Sequence, residues 1–409
     1  MKTVFSAKNG ISSNKGRKRD VSGGLVVNSV MISEDQANLL ESNPEIVGVE
    51  EDKIITIDWK KHQFDDKDWL GQGNEYDKSA RTSNLSKRAD FTTSFNFTND
   101  YSQWTQVKMA PWNLARLSMT DSAMITEYFP YGVSYYYPPP NLNNTGTVIA
   151  YVLDSGINEN HAELAGKIVH NTSLVTTEDT QDLLGHGTFV ASIIAGKTIG
   201  VSRVAKIASI KILDAKGDST ISKLISALGQ AYELKKSTFS NYPGVVNLSL
   251  NSDGTSALIP MAINELRKLG VLTIISAGNN GKDACDYSPA GDPNGLTVGS
   301  TTPLNDGFAS FSNYGTCVDI LAPGSIIAGA DSAVDAGITY SSGTSHSAPI
   351  VTGICTLVLQ QNPGLSAKDL KSAILSSALK DMVQGVPPDT PNLLAWNGYN
   401  GNRMAINFS

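Results

Sequence analysis

Four polar residues stand where an apolar chain segment ends or a helix is predicted to begin, and their types suit acyl transfer. Asp154 follows the apolar run VIAYVL. His186 lies in LGHGT, just ahead of the apolar stretch 189–195. Ser345 lies in SSGTSHSAP, ahead of a helix predicted over 350–359, with Pro349 in its first turn. Asn279 lies in SAGNNG, directly after the run VLTIIS. A serine hydroxyl is a weak nucleophile until a base takes its proton. An imidazole can be that base, a carboxylate can orient it, and a side-chain amide can hold the oxyanion that forms. A serine at a helix N-terminus also faces free backbone N–H groups and the positive end of the helix dipole. Of the five histidines, His62, His161, His170, His186 and His346, only His186 has glycine on both sides. Glycine there lets backbone or substrate come close.

Singly, each residue has a plainer reading. Asp154 also reads as a turn or helix-cap aspartate, and His186 as an ordinary histidine at a helix start. Ser345 also reads as a plain N-cap, and Asn279 as part of an Asn-Gly turn. The combination carries more weight, because the order Asp, His, Ser is one in which this set performs serine hydrolysis.

The elements that would position them begin near residue 147. Continuous apolar runs at 147–153, 207–213, 245–250 and 271–276 read as buried strands. Between them, Ile221, Leu224, Ile225 and Leu228 recur at helical spacing over 219–234. Leu258, Ala262, Ile263, Leu266 and Leu269 do so over 256–269, and Gly270 ends that helix. Strands buried on both faces and joined by helices predict a three-layer α/β fold with a mainly parallel sheet. Sites in such folds lie beyond the carboxyl ends of the strands, where Asp154 and Asn279 fall.

Length and composition narrow the class. The chain has 409 residues, 40% of them hydrophobic and 17% charged, with a net charge of −7. That balance is globular, and its acidic sign disfavours a nucleic-acid partner. No apolar run approaches the roughly 18 residues of a membrane span. The three cysteines fit no zinc or C-x-x-C spacing, and no H-E-x-x-H or G-x-S-x-G is present. The opening MKTVFSAKNG has no apolar core of a signal peptide. N-x-S/T tripeptides occur at Asn84, Asn96, Asn143, Asn171, Asn247 and Asn407.

Ahead of the α/β region, 21–57 reads as a small α+β unit, with strands near 25–32, 46–49 and 54–57. Ser33 and Gln36 form a capping box for a helix over 33–42. So short a unit is expected to lean on another surface. Residues 58–105 are polar, carry the dibasic pair Lys87-Arg88, and read as a linker or cleavable segment, or else as a long surface loop.

The sequence resembles the subtilase family, most of all its proteinase K-like branch. The matching stretches are YVLDSGINENHAEL, GHGTFVASIIAG, IKILDAKGDST, VVNLSLNS, SAGNNG, YSPAGDP, FSNYGTCVDILAPG, SSGTSHSAPIVTG and PNLLAWNGY, with APWNLARLS like the start of a mature domain. The resemblance covers about 106–400, which makes 106–409 the peptidase domain. It implies a serine endopeptidase working through an acyl-enzyme: Asp154 orients His186, His186 takes the proton of Ser345, and Asn279 with the Ser345 N–H holds the oxyanion. It implies that Gly217 and the Ser249, Leu250 and Asn251 strand pair with an extended polypeptide. It implies a Cys285–Cys317 disulfide with Cys355 reduced. It also implies a structural calcium on Asp319 with the carbonyls of Pro293 and Gly295, and no cofactor for catalysis. Residues 21–57 resemble the second half of an inhibitory propeptide, the chain's own partner. A monomer in the secretory pathway, cell wall or vacuole is expected.

Three departures bear on activity. His346 and Ser347 follow Ser345 where the family has methionine and alanine. Phe189 stands where the family has a second histidine. Asn251 replaces a glycine against which a substrate side chain lies. They keep a second reading open, a catalytically impaired subtilase acting as a binding or structural protein.

Overall fold

The four apolar runs form strands Ile149–Asp154, Lys206–Lys211, Gly244–Leu248 and Leu272–Ser276 of one sheet. The structure, a computed structural model, describes residues 2–7, 25–30, 33–44, 46–57, 104–120, 122, 125, 134–139 and 146–399. Lys87-Arg88, nearly all of the expected linker, and the tripeptides at Asn84, Asn96, Asn143 and Asn407 lie outside these residues.

The sheet has nine strands, in the order Leu379–Lys380, Leu393–Leu394, Ile320–Pro323, Leu296–Thr301, Leu272–Ser276, Gly244–Leu248, Ile149–Asp154, Lys206–Lys211 and Ile168–Ser173. All neighbours pair in parallel except the first two. Alternate side chains of a strand point to opposite faces, and both faces are apolar here. In Ile149–Asp154, Ala150 and Val152 enter one core while Ile149, Tyr151 and Leu153 enter the other. The first core packs helices His186–Ala195, Thr344–Gln361 and Ala367–Ser377, and the second packs Ile221–Lys236 and Ile259–Lys268. This is the expected three-layer α/β arrangement.

Helix boundaries moved where packing overrides propensity. The last long helix starts at Thr344 rather than near 350, so Pro349 lies inside it. Serines and a proline are poor helix formers, yet nearly every residue from Thr344 to Gln360 is buried. Ahead of the sheet, Arg116 is buried and its guanidinium pairs with both oxygens of Asp306, each at 2.8 Å.

The N-terminal unit is larger than the sequence suggested. Strand Lys2–Ala7 lies between Leu25–Val30 and Ile46–Glu51, antiparallel to both. The structure thus adds a strand ahead of the expected 21–57 unit. KTVFSA has no clear alternation or turn signal, and its pairing comes from strands far along the chain. Helix Glu34–Glu41 carries the predicted capping box, with Ser33 and Gln36 bonded reciprocally.

Candidate active site

Asp154 is the last residue of its strand, and His186 is the first of its helix. His186 Nδ1 lies 2.7 Å from Asp154 Oδ1, and both residues are buried. The Ser155 N–H donates to the same Asp154 oxygen at 2.8 Å. The two glycines flanking His186 have distinct tasks. Gly185 has a left-handed φ of 99° at the helix start. A Cβ on Gly187 would stand 2.2 Å from the Gly156 carbonyl, so only glycine lets the helix approach the Asp154 loop.

Asp182, not singled out in the sequence, holds this junction. Its carboxylate accepts from the Gly185 and Thr188 N–H groups, the Thr188 hydroxyl and the Ser155 hydroxyl, at 2.6–2.8 Å. Ser155 Oγ in turn accepts from the Gly187 N–H at 2.9 Å. An acidic residue four positions before a predicted helix start was the available signal.

Ser345 is the second residue of its helix and is half-buried. Its Oγ donates to the Ser249 carbonyl at 3.0 Å, and Ser249 Oγ donates to the Ser345 carbonyl at 2.8 Å. Pro349 explains the second bond. A helix carbonyl normally accepts from the N–H four residues on, and proline has none. The Ser345 carbonyl is thereby left to Ser249.

Asn279 is clamped at one end. Its Oδ1 accepts from the Thr344 N–H at 2.8 Å and the Thr344 hydroxyl at 2.9 Å. That hydroxyl also accepts from the Gly278 N–H at 3.0 Å. With the oxygen spent, the amide turns its Nδ2 toward the nucleophile loop, 3.2 Å from where a Gly343 Cβ would stand. Thr344, adjacent to Ser345, was not singled out from the sequence.

His346 is buried, with Nδ1 3.2 Å from the Gly343 carbonyl. Its ring meets Phe189 edge-on at 4.8 Å and His186 at 6.2 Å. The two unusual residues thus pack on each other beside the candidate base.

Residues 144–400 match the Subtilase family. The chain belongs to the subtilase family. It is 39% identical over 297 residues to Subtilase-type proteinase psp3 of Schizosaccharomyces pombe, covering 72% of this chain and 64% of that protein. It therefore spans less than two thirds of that relative. It is 33% identical to Subtilisin-like serine protease Rho m 2.0101 of Rhodotorula mucilaginosa, covering 73% of this chain and 89% of that protein. The crystal structure of a cold adapted subtilisin-like serine proteinase matches with a TM-score of 0.62 at 36% identity, over 71% of this chain and 99% of that one.

In this subtilase, strand Ile54–Thr56 of the N-terminal unit pairs antiparallel with Asp218–Thr220, and the Ile57 N–H donates to the Gly217 carbonyl at 3.0 Å. Ile55 is fully buried in the second core. Asn251 spans a gap between segments: Nδ2 donates to the Ser276 carbonyl at 2.7 Å and Oδ1 accepts from the Ala290 N–H at 3.2 Å. Cys285 and Cys317 form a disulfide, and Cys355 is a buried thiol whose pKa burial pushes up. Asn247 is fully buried, its amide donating to Ser249 Oγ and accepting from Thr352 Oγ1. It is therefore closed to glycosylation in the folded chain.

The residues expected to hold calcium do converge, but they do not fit a metal ion. Lys371 Nζ lies among them, 2.5 Å from the Gly295 carbonyl, 2.9 Å from Asp319 Oδ2 and 3.4 Å from the Pro293 carbonyl. Calcium takes six to eight oxygens, and here a cation already faces the three. Among the described residues no group of three or more His, Cys, Asp or Glu could hold a metal ion, and no helix is long and apolar enough to cross a membrane.

Proposed function

We propose that the chain is a serine endopeptidase that cleaves polypeptides through an acyl-enzyme. The observation that carries this reading is the 2.7 Å bond between Asp154 and His186, at a helix start that packs against the helix of Ser345. Ser345 Oγ attacks the substrate carbonyl carbon and passes its proton to His186. Asp154 accepts from Nδ1 and stabilises the imidazolium without taking the proton. The tetrahedral oxyanion is held by Asn279 Nδ2 and the Ser345 N–H. His186 then gives its proton to the leaving amine, and the carbon–nitrogen bond breaks. Water attacks the acyl-enzyme by the same steps. The Ser345 hydroxyl, turned to the Ser249 carbonyl in this conformation, rotates toward His186 when substrate enters.

The substrate chain lies along Gly217 and the Ser249–Asn251 strand, so main-chain bonds dominate recognition. Asn251 fills space a glycine would leave, and this favours small substrate side chains before the scissile bond. The N-terminal unit occupies the same Gly217 edge and acts as an inhibitory propeptide. The Cys285–Cys317 disulfide suits an oxidising compartment, which supports passage through the secretory pathway.

Labelling with a fluorophosphonate probe tests the reading. The processed protein is expected to label and to hydrolyse peptides, and Ser345→Ala to do neither while keeping its fold. A folded protein that binds peptides but never labels would assign the chain to the binding role instead.

A further inference from the structure

The side chain of Lys371 reaches from helix Ala367–Ser377 into a cage of oxygens built by two other segments. One segment is the turn 292–295 ahead of strand Leu296–Thr301. It offers the Pro293 and Gly295 carbonyls at 3.4 and 2.5 Å from Nζ. The other is Asp319, ahead of strand Ile320–Pro323. Asp319 Oδ2 accepts both from Lys371 at 2.9 Å and from the Thr297 N–H at 2.8 Å. An ammonium has three donors, and three acceptors meet it. The stem is largely covered, with only 20% of the Lys371 side chain exposed.

The cage needs a cation. Besides Asp319 it contains Asp292, a buried residue whose Oδ1 accepts from the Asn294 N–H and side-chain amide at 2.9 and 3.1 Å. Burial raises the Asp292 pKa, and the charge of Lys371 works against that rise. A buried carboxylate and two carbonyls in the turn 292–295, facing the Asp319 carboxylate of the other segment, are costly without a positive charge among them.

We propose that the Lys371 ammonium is the structural cation of this cage, in the place a divalent metal would take, so that the cage is closed to calcium. A bound metal stabilises by an amount that falls toward zero as its free concentration drops below its dissociation constant. A cation tethered to the helix is present at any concentration, and it also ties Ala367–Ser377 to the sheet. The cage therefore holds its fold under chelation. This inference stands apart from the catalytic reading, because nothing in it depends on Ser345.

The test is thermal unfolding of the full chain, with Ser345→Ala present to stop self-digestion, in EDTA and in millimolar calcium. Any calcium response of this parent is expected to be the same with Asp319→Asn added. Lys371→Met is expected to lower the melting temperature by about 3–8 °C in EDTA. It is also expected to gain a calcium response that Asp319→Asn abolishes. Titration calorimetry with calcium chloride on the parent and its Asp319→Asn variant checks the first point at a temperature where both are folded. A parent whose calcium binding is lost with Asp319→Asn would overturn the proposal. So would a Lys371→Met protein as stable in EDTA as its parent, or one that gains no response to calcium.

Discussion

Ser249 and Ser345, 96 residues apart, exchange two hydrogen bonds, each hydroxyl donating to the other's carbonyl. The arrangement depends on Pro349, which frees the Ser345 carbonyl from its helix. Ser249 thus links the strand proposed to receive substrate to the helix that carries the nucleophile. Ser249→Ala is expected to lower kcat about tenfold, the scale of one lost hydrogen bond, with KM changing less. Steady-state kinetics on a short peptide measures this. A loss confined to KM would make Ser249 a substrate contact rather than a positioning residue.

Asn279→Ala is expected to lower kcat by about 10²–10³ with little change in substrate binding, since an oxyanion donor acts mainly in the transition state. The clamp by Thr344 adds a second reading of the same test. Thr344→Val removes the hydroxyl bond to Asn279 Oδ1 but leaves the backbone one, so its loss is expected to be smaller than that of Asn279→Ala. Equal losses would mean that the amide is positioned by the hydroxyl alone.

Much of this site was legible because strand ends and glycines mark it. Asp154 ends a run buried on both faces, and the glycines around His186 answer a left-handed turn and a close backbone approach. What stayed hidden were hydrogen-bond partners. Thr344 and Asp182 stand close in sequence to Ser345 and His186 but show what they hold only in the fold, and Ser249, expected on the substrate strand, gave no sign that it would bond the residue of the nucleophile. Nothing around Lys371 in the sequence marks its partner, and only the fold brings it to Asp319, 52 residues earlier. Strand Lys2–Ala7 escaped for the same reason, being fixed by neighbours on both sides rather than by its own pattern.

Asn251 is held between the Ser276 carbonyl and the Ala290 N–H. Asn251→Gly removes this bridge and opens the space beside the proposed oxyanion site. Hydrolysis of peptides with a large aromatic residue before the scissile bond is expected to rise at least tenfold relative to those with alanine. A peptide library cleaved by both proteins gives the ratio. An unchanged profile would show that Asn251 does not line the substrate side-chain site. One added contact of this size typically discriminates by about 1–3 kcal/mol, which is about tenfold or more.

The N-terminal unit is anchored by two carboxylates as well as by its strand. Glu50 accepts from Ser256 Oγ at 2.5 Å and the Ala257 N–H at 3.1 Å, ahead of helix Ile259–Lys268. Asp52 accepts from the Ser222 N–H at 2.8 Å and the Ser222 hydroxyl at 2.6 Å, in the first turn of Ile221–Lys236. Negative groups at helix N-termini typically contribute about 0.5–2 kcal/mol each. The strand they deliver, Ile54–Thr56, is followed by Ile57 against Gly217, and a Cβ on Gly217 would stand 2.8 Å from the Ile57 carbonyl and 3.5 Å from Leu184, two residues before His186. Ile57 therefore lies on the Gly217 edge proposed to receive substrate, which supports the inhibitory role proposed for this unit. Glu50→Gln with Asp52→Asn is expected to raise the peptidase activity of the unprocessed chain by about tenfold or more, at 1.4 kcal/mol per tenfold. N-terminal sequencing of the active form is expected to find a new terminus between 58 and 88, at Lys87-Arg88 if another protease acts and nearer Ile57 if the chain cuts itself. Full activity with residues 2–57 still covalently attached, or a mature terminus ahead of Val21, would show that this unit is not an inhibitory propeptide.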